Sequence, residues 1–274
     1  MCDIVSCGSD ANAMPSIPVT DEQRRAFLRG LISLPLAVVL AHPSLAKAAG
    51  DRLNNVTVQT ASGGTGRGYI ALPAKTPAPT VLLIHEWWGL NDQIKSVAAE
   101  FANQGYVALA VDLYGGKVGT TRGEARTLMQ SLRPQQATDE LVAWVNWLRR
   151  HKDSNGKVGT VGWCFGGGWS LNASIAAPVN ATVIYYGNVK KTADQLKTLN
   201  SPVLGHFASL DKWINADMVG GFEKAMAAAG KTALTVHWYD ANHAFANPTG
   251  SRYDAEDARL AWSRTLAFFK KHLS

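Results

Sequence analysis

Two nearly unbroken apolar runs, TVLLIHE (80–86) and YVALAVDLY (106–114), flank an amphipathic stretch, DQIKSVAAEFANQG (92–105). A strand with one wet face alternates apolar and polar residues, whereas a strand covered on both faces reads as a continuous apolar run. The pattern therefore calls for a sheet with helices on both sides, and it recurs along the chain. VTVQT and GYIAL form an opening pair joined by SGGTGRG, and Gly105 closes the first amphipathic helix. Helices are expected near Arg122–Leu132 and Gln135–Lys152, the second with Leu141, Val145 and Leu148 at helical spacing. A strand over 157–163, a helix after Cys164, and strands ATVIYYG and PVLGHFA follow. A helix over about Asn215–Ala229 carries Met218, Phe222, Ala225 and Ala229 on one stripe. After the strand ALTVHWYD, a last helix over about Tyr253–His272 puts Ala258, Trp262, Leu266 and Phe269 on one face. Alternation of this kind defines an α/β fold, a mostly parallel, doubly wound sheet with helices on both faces. No linker or repeat interrupts it, so residues 49–274 read as a single domain.

Composition limits the partners. The chain has 274 residues, is 46% hydrophobic and carries a formal charge of +6, which suits a soluble protein with a substantial core. Its basic residues are scattered. The densest group, Arg149, Arg150, His151 and Lys152, closes a helix, where cations suit the dipole. No basic stripe with interleaved aromatics is present, so no nucleic-acid partner is expected.

The first 48 residues read as an export signal. Arg24 and Arg25 precede an apolar run from Leu31 to Ala41 and then small residues. The run is too short to cross a bilayer, which takes about 20 residues. RRAFLRG resembles a twin-arginine signal, which implies the twin-arginine export machinery as a partner, cleavage after Ala46-Lys47-Ala48 and a periplasmic location. An uncleaved anchor is the alternative. Cys2 and Cys7 lie in this leader, so Cys164 would be the one thiol of the mature chain.

That thiol sits in KVGTVGWCFGGGWS, a strand, a glycine-tight turn and a helix. Gly162 and Gly166 flank Cys164 at two residues on either side, the form of a nucleophile elbow. Side chains larger than hydrogen would collide there, and the turn lifts the sulfur above the sheet edge at a helix N-terminus, which favours thiolate. A buried structural cysteine is the bland reading. The candidate partners argue against it. Asp211 follows the strand PVLGHFA, and His243 follows the strand ALTVHWYD. The order nucleophile, acid, histidine at successive strand ends is that of the α/β-hydrolase plan. His243 would take the thiol proton and later activate water, and Asp211 would fix the imidazole tautomer.

HEWWG adds a fourth candidate. Glu86 ends a buried strand against Trp87 and Trp88, where desolvation would raise its pKa and let it hold a nearby thiol. A salt-bridged or capping acid is the alternative. A zinc motif is excluded because Gly89 stands where a second histidine would be needed. AAAGKT lacks the earlier glycine of a P-loop.

HEWWGLND, VALAVDLYGG, GTVGWCFGGGWS, ASLDKW and NHAFANPTGSRYDAEDARLAWSRTLAFF together resemble the dienelactone hydrolase family, across essentially the whole mature chain. The resemblance implies hydrolysis of a small ester or lactone by a triad of Cys164, His243 and Asp211. It also implies control of the resting thiol by Glu86 and an oxyanion hole from the backbone N–H groups of Trp87 and Phe165. In the dienelactone-cleaving members two arginines clamp the substrate carboxylate. At those places this chain has Gly116 followed by Lys117, and Asn247. Trp88, Tyr114, Lys117, Asn247 and Arg252 are the substrate-binding candidates, and dienelactone itself is not the expected substrate. No cofactor or metal is expected, since thiol, imidazole and carboxylates supply the acyl and proton chemistry. The chain is expected to be a monomer. A non-catalytic periplasmic binding or redox-sensing protein on the same fold is the competing class.

Overall fold

A computed structural model of the chain describes residues 18–29 and 34–274. Eight strands form one sheet: β1 (Asn54–Gln59), β2 (Thr65–Ala71), β3 (Ala78–Ile84), β4 (Val107–Val111), β5 (Ser154–Trp163), β6 (Ala181–Tyr185), β7 (Val203–Ala208) and β8 (Leu234–Tyr239). Their spatial order is β1-β2-β4-β3-β5-β6-β7-β8. The pairs β1/β2 and β2/β4 are antiparallel, and every later pair is parallel. This is the doubly wound α/β sheet that the apolar runs require.

The two faces sort by residue parity. Val81 and Leu83 of β3, with Ala108 and Ala110 of β4, pack on one face with Phe101 and Phe269. Leu82, Ile84, Leu109 and Val111 point the other way, onto Leu141, Trp144 and Val145. Each fully buried Val, Leu, Ile or Phe side chain among them contributes about 1.5–3 kcal/mol. The covering helices are α4 (Asp92–Asn103), α6 (Pro134–Arg150), α7 (Phe165–Ala176), α9 (Ala216–Ala228) and α10 (Ala255–Leu273), with α5 (Arg122–Ser131) and the short α8 (Ala193–Leu196) between them. Asn91, Asn215 and Asp254 cap α4, α9 and α10 through side-chain oxygens on backbone N–H groups. The stripe expected on α9 keeps Phe222 but is turned about its neighbours: Val219 and Met226 are buried with it, while Met218, Ala225 and Ala229 are only partly covered.

The stripe expected on the last helix is rotated. Ala261, Thr265, Phe269 and Leu273 are buried, while Ala258, Trp262 and Leu266 are only partly covered. The cause is a polar partner set in the core. Thr265 Oγ1 lies 2.7 Å from Tyr185 Oη and 3.0 Å from His206 Nε2. A buried tyrosine hydroxyl and imidazole need partners, and this need turns a threonine inward.

Near the N-terminus, α1 (Asp21–Leu28) carries Arg24 and Arg25, and α2 (Leu36–Ala41) and α3 (Pro43–Gly50) follow. Leu45 is fully buried, and Ser96 Oγ of α4 donates to the Ala46 carbonyl at 2.8 Å. Cys2, Cys7 and the start of the apolar run at Leu31 lie outside the described residues. No helix among the described residues is long and apolar enough to cross a membrane.

Candidate active site

The parallel register brings the C-terminal ends of β3, β5, β6, β7 and β8 to one edge of the sheet. Cys164 follows β5 directly, with φ 54° and ψ −116°. A side-chain-bearing residue there costs of order 1–3 kcal/mol, so the surroundings must hold it. The Cys164 N–H donates to the Tyr185 carbonyl at 3.0 Å, and the Cys164 carbonyl accepts from the Gly167 N–H at 3.1 Å. A Cβ on Gly162 would run into the Gly166 backbone, and one on Gly166 into the Ile84 and His85 carbonyls. Both glycines are therefore required by close approach. Among the described residues, the non-glycine residues in the left-handed region are Cys164, Tyr186 and Ala244. Ala244 follows His243, and the Tyr186 ring lies 5.2 Å from the His243 ring. The strain is gathered around one point.

At that point the three predicted partners meet. His243 Nε2 is 3.1 Å from Cys164 Sγ, and His243 Nδ1 is 2.5 Å from Asp211 Oδ2. The carboxylate can only accept, so Nδ1 carries the proton and Nε2 faces sulfur. Asp211 Oδ1 accepts from the Trp213 and Ile214 N–H groups at 2.9 and 3.1 Å. Burial pushes the Asp211 carboxyl up, but the His243 hydrogen bond and charge, with those two N–H groups, hold it below its usual value. The Trp213 ring stands edge-on to His243, 5.5 Å away. An imidazole fixed in this way can move a proton between sulfur and a second group.

Glu86 is buried just beyond β3, and its Oε2 accepts from Asn247 Nδ2 at 2.8 Å. Asn247 is itself pinned, since its Oδ1 accepts from the Thr249 N–H at 3.0 Å and from the Thr249 hydroxyl at 2.6 Å. His85 is a structural link. Burial pushes its pKa down to about 4, so it is neutral at ordinary pH. Its Nδ1 donates to the Glu86 carbonyl at 2.5 Å, and its Nε2 accepts from the Leu113 N–H at 3.3 Å. The ring thus ties the loop after β3 to the loop after β4.

Cys164 lies between two cavities. One, of about 200 Å³, is lined by Glu86, Trp87, Trp88, Asn247, Thr249 and Arg252 among others. The other, of about 500 Å³, has an aromatic wall including Trp87, Phe165, Trp169, Tyr186 and Trp213, and is reached by Lys190 and Lys191. Phe165 opens α7, so its N–H is among the donors that a helix start leaves without an intrahelical partner. Trp87 borders both cavities.

Of the five substrate-binding candidates, Trp88, Asn247 and Arg252 face the smaller cavity. Lys117 and Tyr114 line neither. Lys117 is exposed in the turn after β4, where its own N–H closes that turn onto the Tyr114 carbonyl. Tyr114 is buried against His85 and Phe165, with ring centroids 4.8 and 5.8 Å away. Sequence reasoning missed the wall formed by Trp169, Tyr186 and Trp213, and missed Lys190 and Lys191. The signal for the lysines was the sequence GNVKK just after strand ATVIYY, because that strand too ends at the site edge.

A strained nucleophile-elbow cysteine, backed by histidine and aspartate from later strand ends of a parallel sheet, defines a hydrolase of the α/β type. The model of the dienelactone hydrolase family matches residues 67–273, and the chain belongs to that family. Among curated proteins it is 30% identical over 224 residues to a carboxymethylenebutenolidase of Pseudomonas putida, covering 78% of this chain and 94% of that one. It is 34% identical over 218 residues to Protein usf of Aquifex pyrophilus, covering 76% and 94%. In fold it matches the crystal structure of a dienelactone hydrolase-like promiscuous phosphotriesterase, P91, from metagenomic libraries. That match has a TM-score of 0.72 at 24% identity and covers 81% of this chain and 99% of that chain.

Proposed function

We propose that the chain hydrolyses a small carboxylic ester or lactone through a thioester on Cys164. The observation that carries this reading is the line of contacts from Sγ through the imidazole to the buried carboxylate, 3.1 and 2.5 Å. The relatives named carboxymethylenebutenolidase support the same substrate class. In the proposed cycle His243 takes the thiol proton as Sγ bonds to the carbonyl carbon. The resulting oxyanion lies between the Trp87 and Phe165 N–H groups, where losing one such donor costs about 2.7–4 kcal/mol of transition-state stabilisation. The C–O bond then breaks, His243 protonates the leaving oxygen, and water activated by His243 cleaves the thioester. Asp211 holds the imidazole tautomer and stabilises the imidazolium. Glu86, fixed by Asn247 on the rim of the same cavity as Cys164, holds the resting thiol until substrate rearranges the site.

The absence of a matching arginine at Asn247 argues against dienelactone itself, since a lone lysine does not replace a bidentate fork. Arg24 and Arg25 ahead of an apolar run support export by the twin-arginine route to the periplasm. N-terminal sequencing of the exported protein tests the cleavage, and beginning at Ala49 is the expected result. For the chemistry, purified protein should cleave aryl acetates and small lactones, and Cys164→Ala should remove the activity. Full turnover by Cys164→Ala would mean that another group is the nucleophile.

A further inference from the structure

The two cavities beside Cys164 differ in charge. The smaller one contains the Glu86 carboxylate together with Arg252. The larger contains no Asp or Glu side chain, yet two lysines reach it. Its remaining wall is largely apolar, formed by Trp87, Phe165, Trp169, Tyr186, Trp213 and Ile214. We propose that this larger cavity takes an apolar or aromatic arm of the substrate that ends in an anion, and that the Lys191 ammonium reads that anion. The inference rests on the ester-hydrolase reading of Cys164.

Lys191 is half-buried, and among the described residues its ammonium has no carboxylate partner within ion-pair distance. Burial lowers its pKa from the usual lysine value. An ammonium drawn out of water with no counter-charge is a cost that a bound anion would offset. Lys190, in contrast, is exposed.

The loop holding Lys191 is fixed from both sides. Upstream, the Tyr186 N–H donates to the His206 carbonyl at 2.7 Å, and the Val189 side chain is fully buried. The Lys190 N–H donates to Asn188 Oδ1 at 2.9 Å. Downstream, Thr192 caps α8 with a reciprocal pair of bonds to Gln195. A charge on so constrained a loop loses little freedom when it engages a ligand. Position also matters. The loop leaves β6, next to the nucleophile strand, so the arm would extend away from Glu86, whose carboxylate would repel an anion.

The test uses the full chain and two matched pairs of esters. Mono(4-nitrophenyl) adipate against 4-nitrophenyl hexanoate places the anion on the acyl arm. 4-Acetoxybenzoate against phenyl acetate places it on the leaving arm. The readout is the ratio of kcat/KM for the anionic ester to that for its neutral partner. Lys191→Met should lower this ratio about tenfold for one pair, chiefly through KM, and added salt should lower it in the wild type. Lys191→Arg should keep the ratio, which a merely structural role would not predict. Lys190→Met should lower it less. A Lys191→Met ratio within about twofold of wild type for both pairs would overturn the inference while leaving the hydrolase reading intact. Retention of turnover by Cys164→Ala on every ester would instead remove the reading of Cys164 as nucleophile on which the inference rests.

Discussion

Gly166→Ala offers a quantitative test of how the elbow is built. A Cβ at Gly166 would lie 2.5 Å from the His85 carbonyl oxygen and closer still to that of Ile84, where ordinary contact begins at 3.4 Å. Both obstacles are backbone of the central strand region and cannot rotate away. The start of α7 must therefore withdraw by about 1 Å, and overpacking of this kind costs about 3 kcal/mol or more. Replacing a helical glycine by alanine returns up to about 1 kcal/mol, leaving a net loss near 2–3 kcal/mol. For a domain of this size the melting temperature should fall by roughly 5–10 °C. The same displacement moves the Phe165 N–H and Sγ, and a 1 Å error in a reacting group costs about 100-fold in rate. Gly221→Ala is the control. Gly221 lies in α9 with nothing within 4 Å of an added Cβ, so that variant should gain about 0.4–1 kcal/mol. Thermal unfolding and aryl-ester turnover measure both. An unshifted melting temperature for Gly166→Ala, or an equal loss for Gly221→Ala, would refute the close-approach argument.

Three further perturbations follow from single contacts. Asn247→Asp would set a second carboxylate at the 2.8 Å contact with Glu86, costing about 2–3 kcal/mol at pH 7. One folded-state pKa would rise above its unfolded value, so the deficit against wild type should shrink as pH falls toward 4.5, measured by paired melting curves. Thr265→Val would strip the partner from Tyr185 Oη and His206 Nε2, and denaturant unfolding should show a loss of about 1–3 kcal/mol. Asp211 has a folded pKa below its ordinary 3.8. Its stabilisation is therefore present above the unfolded value and lost as pH falls through the folded one. Asp211→Asn should flatten the acid limb of stability against pH and cut kcat by about 10³–10⁴-fold through the wrong tautomer.

The parts of this molecule legible in its sequence are those governed by local rules. Apolar runs at 80–84 and 107–111 announce strands buried on both faces, and they are β3 and β4. The glycine spacing around Cys164 announces the elbow, because only close backbone approach demands glycine at both places. The order of Asp211 and His243 after strand ends announces their meeting with the thiol. What stayed hidden depends on partners far along the chain. The inward turn of Thr265 is set by Tyr185 and His206, on two other strands. The pairing of β2 with β4, rather than with β3, is a matter of sheet order. Lys117 and Tyr114 were matched by their place in a motif, and a one-residue difference in a turn decides whether a side chain faces a cavity. Lys191 had only its place after a strand end to mark it, since a lysine in a loop reads as solvated until the aromatic wall beside it is assembled.

The central claim is covalent, and the direct measurement is the intact mass of protein quenched in acid during turnover of a slowly deacylated aryl ester, followed by peptide mapping. The account predicts one acyl group on Cys164, formed and discharged at catalytically competent rates. Hydrolysis that proceeds with no acyl group on Cys164, or with the acyl group on another residue, would contradict it.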